Sequence, residues 1–249
     1  MEIYFILLFM CISVKRLLGI FFPPACLVCG REIDSPGLCD DCKKNVTSIR
    51  PPFCTKCGRP FPSDRGVSHI CHDCIRGRNR FVMARAVFEY RGAIGKLIQG
   101  FKFGDRVSLA SYFSDELHKL YNTHHSTLGM ADIAAIIPVP LSDRRLKHRS
   151  YNQTVLIAAG LAGRLSVPLY QDVIEKIKET PPQSRLSAER RHENVKHAYR
   201  AVDSHALTGK PVLLVDDVIT TGATVNACAA ALRKAGIRQV YVLALAMRV

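Results

Sequence analysis

The stretch Val212-Leu213-Leu214-Val215-Asp216-Asp217-Val218-Ile219-Thr220-Thr221-Gly222-Ala223-Thr224 decides the fold of this chain. An apolar, β-branched run ends in two adjacent carboxylates, and a short Thr/Gly loop follows them. An Ala-rich helical pattern then runs from Val225 to Ala235. That order predicts a buried parallel strand whose carboxyl end leads through a loop into the N-terminus of a helix.

The same stretch predicts a site for a sugar that carries a 5′-phosphate. Backbone N–H groups at a helix N-terminus, together with the helix dipole, favour a phosphate group. The carboxylates of Asp216 and Asp217 can hold the hydroxyls of a ribose or a hydrated magnesium ion. The alternative is an ordinary strand–turn–helix with solvated aspartates, and the coincidence of two acids, a glycine and three threonines argues against it.

Alternating strand and helix patterns surround this stretch. Short apolar runs predict strands over residues 81–90, 133–139, 212–215 and 240–244. Amphipathic spacing predicts helices over residues 92–101, 109–121 and 155–165. Gly236 is placed to end the helix that begins near Thr224. Strands that alternate with helices predict an α/β fold with a doubly wound, mostly parallel sheet. Neither G-x-G-x-x-G nor G-x-x-x-x-G-K-[ST] is present, which argues against dinucleotide and P-loop sites.

The N-terminal region contains eight of the ten cysteines, arranged as four C-x-x-C pairs: Cys26/Cys29, Cys39/Cys42, Cys54/Cys57 and Cys71/Cys74. Four thiolates satisfy tetrahedral zinc without an open position, so the spacing predicts two structural zinc sites. The order of the pairs and an internal repeat favour one site from the first four cysteines and one from the last four, and interleaved pairing stays open. Redox chemistry needs an oxidising compartment or a thioredoxin-like context, and neither is visible.

Other single residues receive no chemical role. His69 and His72 flank the last cysteine pair and are interpreted as bystanders, because the cysteines alone complete the ligand set. Cys228 on the Ala-rich helix is expected to be a small buried residue. We expect His118, His124 and His125 around a surface loop.

Composition predicts three segments: an apolar leader over residues 1–22, a zinc-ribbon module over 23–80 and an α/β domain over 81–249. The first apolar run of the leader, Ile3–Val14, is too short to span a bilayer comfortably, and the leader lacks the features of a secretory signal. It is expected to pack on the protein or to lie on a membrane surface, unless the start codon is mis-assigned. We expect a cytoplasmic protein.

The chain is strongly basic, with a formal net charge of +14. Two zinc ions with four thiolates each would lower that charge to about +10, which still favours a polyanionic partner. A cationic loop, residues 141–153, follows a buried strand at the same predicted sheet edge as Asp216 and Thr220. We expect it to bind an anion, a pyrophosphate or a nucleic acid backbone, and the alternative is a solvated basic turn. The long charged connection over residues 180–194 is interpreted as a lid or binding hood, or alternatively as an exposed helical hairpin.

The stretch Val212–Thr224 resembles the phosphoribosyl-pyrophosphate signature of type I phosphoribosyltransferases. Joined to a double zinc ribbon, the chain resembles the ComF/ComFC competence family over residues 21–249. Its supporting motifs are the four C-x-x-C pairs, Pro138-Val139-Pro140-Leu141, Arg149-Ser150-Tyr151-Asn152-Gln153, and Gln183 with Arg190 and Asn194. The family usually has Arg-Gly-Phe-Asn-Gln in the second motif, and Ser150 in place of glycine restricts that loop if a positive φ is needed there.

The resemblance implies a type I phosphoribosyltransferase-like fold with an N-terminal double zinc-ribbon module, and a role for each motif. Asp216 and Asp217 would be the catalytic pair that holds the ribose hydroxyls of phosphoribosyl pyrophosphate. The loop Thr220-Thr221-Gly222-Ala223-Thr224 would cradle its 5′-phosphate. The remaining residues would face the pyrophosphate with its Mg²⁺ (Pro138, Val139, Pro140, Leu141, Ser142 and Arg149) or lie on the hood and acceptor side (Asn152, Gln153, Gln183, Arg190 and Asn194).

The resemblance also implies a function: binding of phosphoribosyl pyrophosphate and handling of single-stranded DNA in natural transformation, with a competence helicase as partner. The alternatives are an active transferase of unknown acceptor, similar to amidophosphoribosyltransferases, and a sensor of phosphoribosyl pyrophosphate without catalysis. We lean towards an active transferase, although no residue is a convincing general base. Few aromatic residues are interleaved with the basic ones and tryptophan is absent, so no base-stacking platform is predicted.

Overall fold

The computed structural model of the protein describes residues 24–34, 37–63, 65–77, 79–104, 106–128, 132–141, 151–178 and 198–249, with side chains omitted over 126–128. The chain divides into two compact units, one ending at Val46 and one spanning Thr47–Val249. The predictions for residues 1–22 and for Ser142, Arg149, Gln183, Arg190 and Asn194 lie outside the described residues. Within the described ranges, no helix is both long and apolar enough to cross a membrane.

The smaller unit is a cysteine-bearing turn followed by a short helix, α1 (Asp40–Lys44). The turn is closed by the Cys26 N–H, which donates to the Arg31 carbonyl at 2.7 Å. Cys39 stands at the N-cap of α1 and Cys42 lies inside the helix. The two C-x-x-C pairs of this unit therefore come from a turn and from a helix start.

The larger unit is built on a four-stranded sheet of β1 (Met83–Glu89), β2 (Ala135–Pro138), β5 (Pro211–Ile219) and β6 (Gln239–Met247). The strand order is β1-β6-β5-β2, and every neighbouring pair is parallel. The strands are buried along almost their whole length, as expected for a sheet with both faces covered. This arrangement confirms the predicted parallel α/β fold.

The sheet strand β5 is longer than predicted. The apolar run predicts a strand over 212–215, whereas β5 continues to Ile219 because Asp216 and Val218 still pair with Ala244 and Ala246 of β6. The two acids therefore lie within the last part of the strand and not after it. Polar side chains near a strand end do not stop a ladder whose backbone partners are present.

The helices of the larger unit are α2 (His72–Ile75), α3 (Gly92–Phe103), α4 (Leu109–Leu128), α5 (Gln153–Leu165) and α6 (Ala223–Lys234). Helix α4 extends beyond the predicted residue 121 because no glycine or proline interrupts 121–128. The expectation that His118, His124 and His125 surround a surface loop is therefore wrong, since all three lie on α4, and His124 is buried. Gly236 follows α6 with a φ of 91°, as predicted for a residue that ends this helix.

Two features flank the sheet. A small antiparallel pair, β3 (Ile174–Lys176) with β4 (Tyr199–Ala201), brackets the segment predicted as a hood, which itself lies outside the described residues. The edge of β1 that does not pair with β6 is covered by residues before and within the second cysteine cluster: the Ile49 N–H donates to the Val87 carbonyl at 2.9 Å, and the Ala84 N–H donates to the Lys56 carbonyl at 2.8 Å. The second cysteine cluster is thus attached to the sheet by backbone hydrogen bonds, and the edge is covered.

Candidate ligand site and zinc centres

The carboxyl edge of the sheet brings the predicted acids together with Pro138–Leu141, the described part of the segment predicted to face the pyrophosphate. Asp216 and Asp217 are 9% and 7% exposed, and the Asp217 N–H donates to Asp216 Oδ1 at 2.8 Å. Pro138 at the end of β2 pairs with Val215, and the Val139 N–H donates to the Val215 carbonyl at 2.8 Å. The chain that follows β2 therefore starts directly beside the acids. Pro138 and Val139 are buried, whereas Pro140 and Leu141 are partly exposed.

The loop between β5 and α6 has the backbone geometry of an anion cradle. Gly222 is the N-cap of α6 with a φ of 76°, and a Cβ placed on it would meet no atom within 4 Å. The left-handed backbone, and not crowding, is therefore the reason for glycine at this position. Ala223 is buried, while Thr220, Thr221 and Thr224 are partly exposed at the start of a helix of twelve residues. The N–H groups of such a helix start have no intrahelical partners and favour an anion.

A lysine that sequence reasoning did not select lies at the acid pair. Lys102 Nζ contacts Asp217 Oδ2 at 2.7 Å, and the two side chains are only 15% and 11% exposed. Lys102 is in the last turn of α3, one residue after the buried Phe101. In the sequence, Lys102 is a lysine at the border of an apolar helix face, and such lysines are too common to indicate a binding site.

The motif Arg149-Ser150-Tyr151-Asn152-Gln153 is described from Tyr151 onward, and its side chains contact helices. The Tyr151 hydroxyl donates to the Phe101 carbonyl at 2.9 Å, and Gln153 Nε2 donates to the Lys102 carbonyl at 3.2 Å. Asn152 is the N-cap of α5, and its Oδ1 accepts from the Thr154 N–H at 3.0 Å. These contacts hold the end of α3 and the start of α5, and a role of Asn152 and Gln153 on the acceptor side stays a prediction.

The eight paired cysteines form two clusters in sequence order: Cys26, Cys29, Cys39 and Cys42; and Cys54, Cys57, Cys71 and Cys74. Within each cluster all Sγ atoms lie within 4.8 Å of one another. The Sγ atoms of Cys29 and Cys39 are 3.7 Å apart, and those of Cys57 and Cys71 are 3.8 Å apart. Tetrahedral zinc with Zn–S bonds of about 2.3 Å needs S–S separations of about 3.8 Å. The donors therefore fit two structural zinc sites, paired sequentially as predicted.

The environment of one thiol in each cluster favours its ionised form. Burial disfavours the thiolates of Cys26 and Cys54, but hydrogen bonds from backbone N–H groups outweigh burial and lower the pKa of each to about 6. The Cys39 N–H donates to Cys26 Sγ at 3.3 Å, and the Cys71 N–H donates to Cys54 Sγ at 3.3 Å. A metal ligand must be the thiolate, so these donors prepare both clusters for zinc.

A buried cation lies beside the second cluster. Arg85 in the middle of β1 is 2% exposed, and its guanidinium donates to the carbonyls of Ala84 at 2.7 Å and Thr55 at 2.8 Å. The guanidinium also lies over the Phe53 ring, 4.8 Å from the centroid. Burial lowers the pKa of Arg85 to about 10, and negative charge on Cys54 and Cys57 counteracts that shift. A buried arginine next to a zinc site with four thiolates is thereby electrostatically compensated.

The same buried cluster contains His124, whose ring meets the Phe53 ring edge-on at 6.2 Å. Burial, and next the positive charge of Arg85, lower the pKa of His124 to about 4. Its Nδ1 has no hydrogen-bond partner within the described residues. The imidazole therefore functions as a neutral packing group in this environment.

The second zinc ribbon also carries an exposed groove lined by Pro52, Phe61, Arg65, Val67 and His69. The Phe61 and His69 rings are stacked, with centroids 4.2 Å apart and planes at 6°. Val67 is 81% exposed, and Arg65 and His69 are also exposed. Stacked rings beside a cation form the kind of surface on which nucleobases stack, a feature that sequence reasoning did not predict because the two rings are separated along the chain.

Comparisons with known proteins agree with both halves of this description. Residues 17–75 match the double zinc ribbon domain family, and residues 152–248 match the phosphoribosyl transferase domain family. The chain is 32% identical over 229 residues to competence protein F of Haemophilus influenzae, covering 91% of this chain and 98% of that protein. It is 28% identical over 242 residues to competence protein ComFC of Streptococcus pneumoniae, with 88% and 98% covered. It is 33% identical over 178 residues to DNA utilization protein YhgH of Escherichia coli O157:H7, with 70% and 77% covered.

Proposed function

Because this chain belongs to the ComF/ComFC competence protein family, we propose that it binds phosphoribosyl pyrophosphate with Mg²⁺ and handles single-stranded DNA during natural transformation in the cytoplasm. One observation gives the strongest support for phosphoribosyl pyrophosphate as the ligand. Two buried acids, a glycine-started helix and the loop after β2 all meet at one edge of a parallel sheet. Ligands of open α/β sheets bind at such an edge.

In this proposal each element recognises one part of the ligand. Asp216 and Asp217 accept hydrogen bonds from the ribose hydroxyls. The N–H groups and hydroxyls of Thr220–Thr224 hold the 5′-phosphate. The segment 138–142, together with Arg149, faces the pyrophosphate and its Mg²⁺. Gln183, Arg190 and Asn194 belong to the hood over the acceptor, with Asn152 and Gln153 at its base.

We also propose that the site transfers the phosphoribosyl group. The C1′–O bond breaks with pyrophosphate leaving, a C1′–N bond forms to a nitrogen nucleophile, and that nitrogen loses a proton to solvent. The acids would hold the sugar in place and set negative charge near the developing oxocarbenium ion. The predicted contacts with a competence helicase and, through residues 1–22, with a membrane surface stay predictions.

Pyrophosphate release separates a transferase from a sensor. The protein is incubated with phosphoribosyl pyrophosphate, Mg²⁺ and in turn ammonia, simple amines and nucleobases. Acceptor-dependent release identifies the acceptor class and supports transfer. Binding in calorimetry without release under any acceptor contradicts transfer and leaves a non-catalytic sensor as the function.

The DNA half of the proposal is supported by the net charge of +14 and by the stacked rings of the second ribbon. Binding of a fluorescent oligothymidylate should weaken steeply as salt rises, because cations that contact the backbone release counterions. Phe61→Ser should weaken binding about tenfold through lost stacking. The control Ile75→Ser, at an exposed apolar residue of the same ribbon, should have no effect. A flat salt response contradicts backbone contact, and equal behaviour of the two variants contradicts the groove.

A further inference from the structure

The ion pair between Lys102 and Asp217 places a cation inside the proposed ribose site. An ammonium group has three N–H donors, and the contact with Asp217 Oδ2 at 2.7 Å uses one of them. Both side chains are largely buried, so the charge of Lys102 is weakly screened by water. The cation offsets one of two adjacent carboxylates, which would otherwise repel each other and an incoming polyanion.

The backbone that carries Lys102 is fixed from two sides. The Tyr151 hydroxyl donates to the Phe101 carbonyl and Gln153 Nε2 donates to the Lys102 carbonyl, in the last turn of α3, where helix carbonyls lack intrahelical partners. Gly104 then ends α3, and its N–H donates to the Gly100 carbonyl at 2.8 Å. The position of Lys102 is therefore tied to the motif that follows the proposed pyrophosphate loop.

We infer that Lys102 is a ligand-binding residue that donates to the pyrophosphate group, and that Tyr151 and Gln153 are positioning residues for it. This inference rests on the proposed binding of phosphoribosyl pyrophosphate. In that molecule the pyrophosphate on C1′ is on the same face of the sugar as the 2′-hydroxyl. A cation bonded to the acid that holds the hydroxyls lies beside that group. Lys102 thus favours the pyrophosphorylated sugar over the same sugar without pyrophosphate.

The experiment compares two ligands and two lysines of one helix. Lys102→Met and the control Lys96→Met, at an exposed position of α3, are titrated calorimetrically with phosphoribosyl pyrophosphate and with ribose 5-phosphate in Mg²⁺. For Lys102→Met we expect at least about tenfold weaker binding of phosphoribosyl pyrophosphate, since a charge-assisted hydrogen bond is lost. Binding of ribose 5-phosphate should change less than about twofold. Lys96→Met should match the wild type with both ligands.

Each of the other possible results contradicts one part of this inference. Equal weakening of both ligands means that Lys102 only orders Asp217. Unchanged binding of both means that Lys102 has no part in the site. If the wild type does not bind phosphoribosyl pyrophosphate, the proposed function is wrong, and the role of Lys102 is wrong with it. If the wild type binds and Lys102→Met binds equally well, only the role of Lys102 is wrong. Lys102→Arg keeps the positive charge and is the control for misfolding of the Lys102→Met variant. It should still prefer phosphoribosyl pyrophosphate to ribose 5-phosphate.

The positioning residues have their own signature. Tyr151→Phe removes the hydrogen bond to the Phe101 carbonyl and keeps the ring. We expect phosphoribosyl pyrophosphate binding to weaken about threefold to tenfold, with ribose 5-phosphate unaffected, because the placement of Lys102 is disturbed. The double variant Tyr151→Phe with Lys102→Met should bind no more weakly than Lys102→Met alone. Additive losses contradict positioning through Lys102.

Discussion

Arg85 and Lys102 are both largely buried cations close to anionic groups, yet they act in different regions. Arg85 sits in the middle of β1, donates to two backbone carbonyls and lies against the Phe53 ring beside the second zinc cluster. Lys102 sits at the carboxyl edge of the sheet and contacts a carboxylate side chain. The guanidinium of Arg85 donates to buried backbone carbonyls and so stabilises the fold. The ammonium group of Lys102 lies at the carboxyl edge of the sheet, where it can also donate to a ligand. Substitutions around Arg85 should therefore change mainly the stability of the protein, and substitutions at Lys102 mainly its affinity for the ligand.

The largest expected effect is loss of the second zinc site. Cys54→Ser with Cys57→Ser removes the two thiolates whose negative charge offsets the buried Arg85, which costs on the order of 3–5 kcal/mol. Hydrogen exchange of the β1 amides measures this cost. The matched change Cys26→Ser with Cys29→Ser, at the equivalent pair of the smaller unit, should leave those amides within about 0.5 kcal/mol of the wild type. Equal loss of β1 protection in both variants contradicts a specific link between the second site and the sheet.

A single glycine tests the same link by crowding. A Cβ on Gly58 would lie 2.4 Å from the Ala84 carbonyl oxygen of β1, and its φ is +74°. Gly77 in the same ribbon has a similar φ of +71° with no atom within 4 Å of such a Cβ. We expect Gly58→Ala to lower the free energy of unfolding by about 2–3 kcal/mol and Gly77→Ala by about 1 kcal/mol. Similar losses of unfolding free energy for the two variants in denaturant titration would show that Gly58 is not crowded against β1.

The pH dependence of stability tests the buried side of the comparison. The pKa of His124 is about 4 in the folded protein and 6.5 in its ordinary state, so above pH 6.5 it has no effect. As pH falls from 6.5 towards 4, the unfolded chain takes up a proton that the folded chain does not, and stability is lost. We expect a loss of about 1–2 kcal/mol at pH 5 relative to His124→Phe, measured by denaturant titration. Parallel pH profiles for the two proteins contradict a neutral buried His124.

The last comparison sets the two buried cations against each other. Lys102→Met should lower the free energy of unfolding by on the order of 1–3 kcal/mol, less than Arg85→Met, because it leaves the largely buried Asp217 carboxylate without its cation, and it should weaken ligand binding tenfold or more. Arg85→Met should show a larger loss of stability with unchanged affinity in the protein that remains folded. Thermal unfolding and calorimetry on the same samples decide between these patterns. A larger stability loss for Lys102→Met than for Arg85→Met reverses the comparison.

Local patterns predicted much of this molecule. The apolar runs ending near Asp216 and Pro138 predicted parallel strands, and the C-x-x-C spacing predicted two sequential zinc sites, because each signal lies within a short stretch of chain. The end of β5 was predicted too early, since its last residues are held by backbone pairing with β6 and not by apolar side chains. Lys102 and Arg85 were not predicted as site residues, because their partners are distant in sequence and only the fold brings them together.

The acid pair itself provides the most direct test. Phosphoribosyl pyrophosphate with Mg²⁺ is titrated calorimetrically into the wild type, into Asp216→Asn with Asp217→Asn, and into the control Asp172→Asn at an exposed position. We expect binding by the wild type and the control, and affinity at least about 100-fold weaker in the double variant, because two charge-assisted hydrogen bonds to the ribose are lost. Thermal unfolding should confirm that the double variant is folded. Unchanged affinity in a folded double variant contradicts the assignment of this sheet edge as the phosphoribosyl pyrophosphate site.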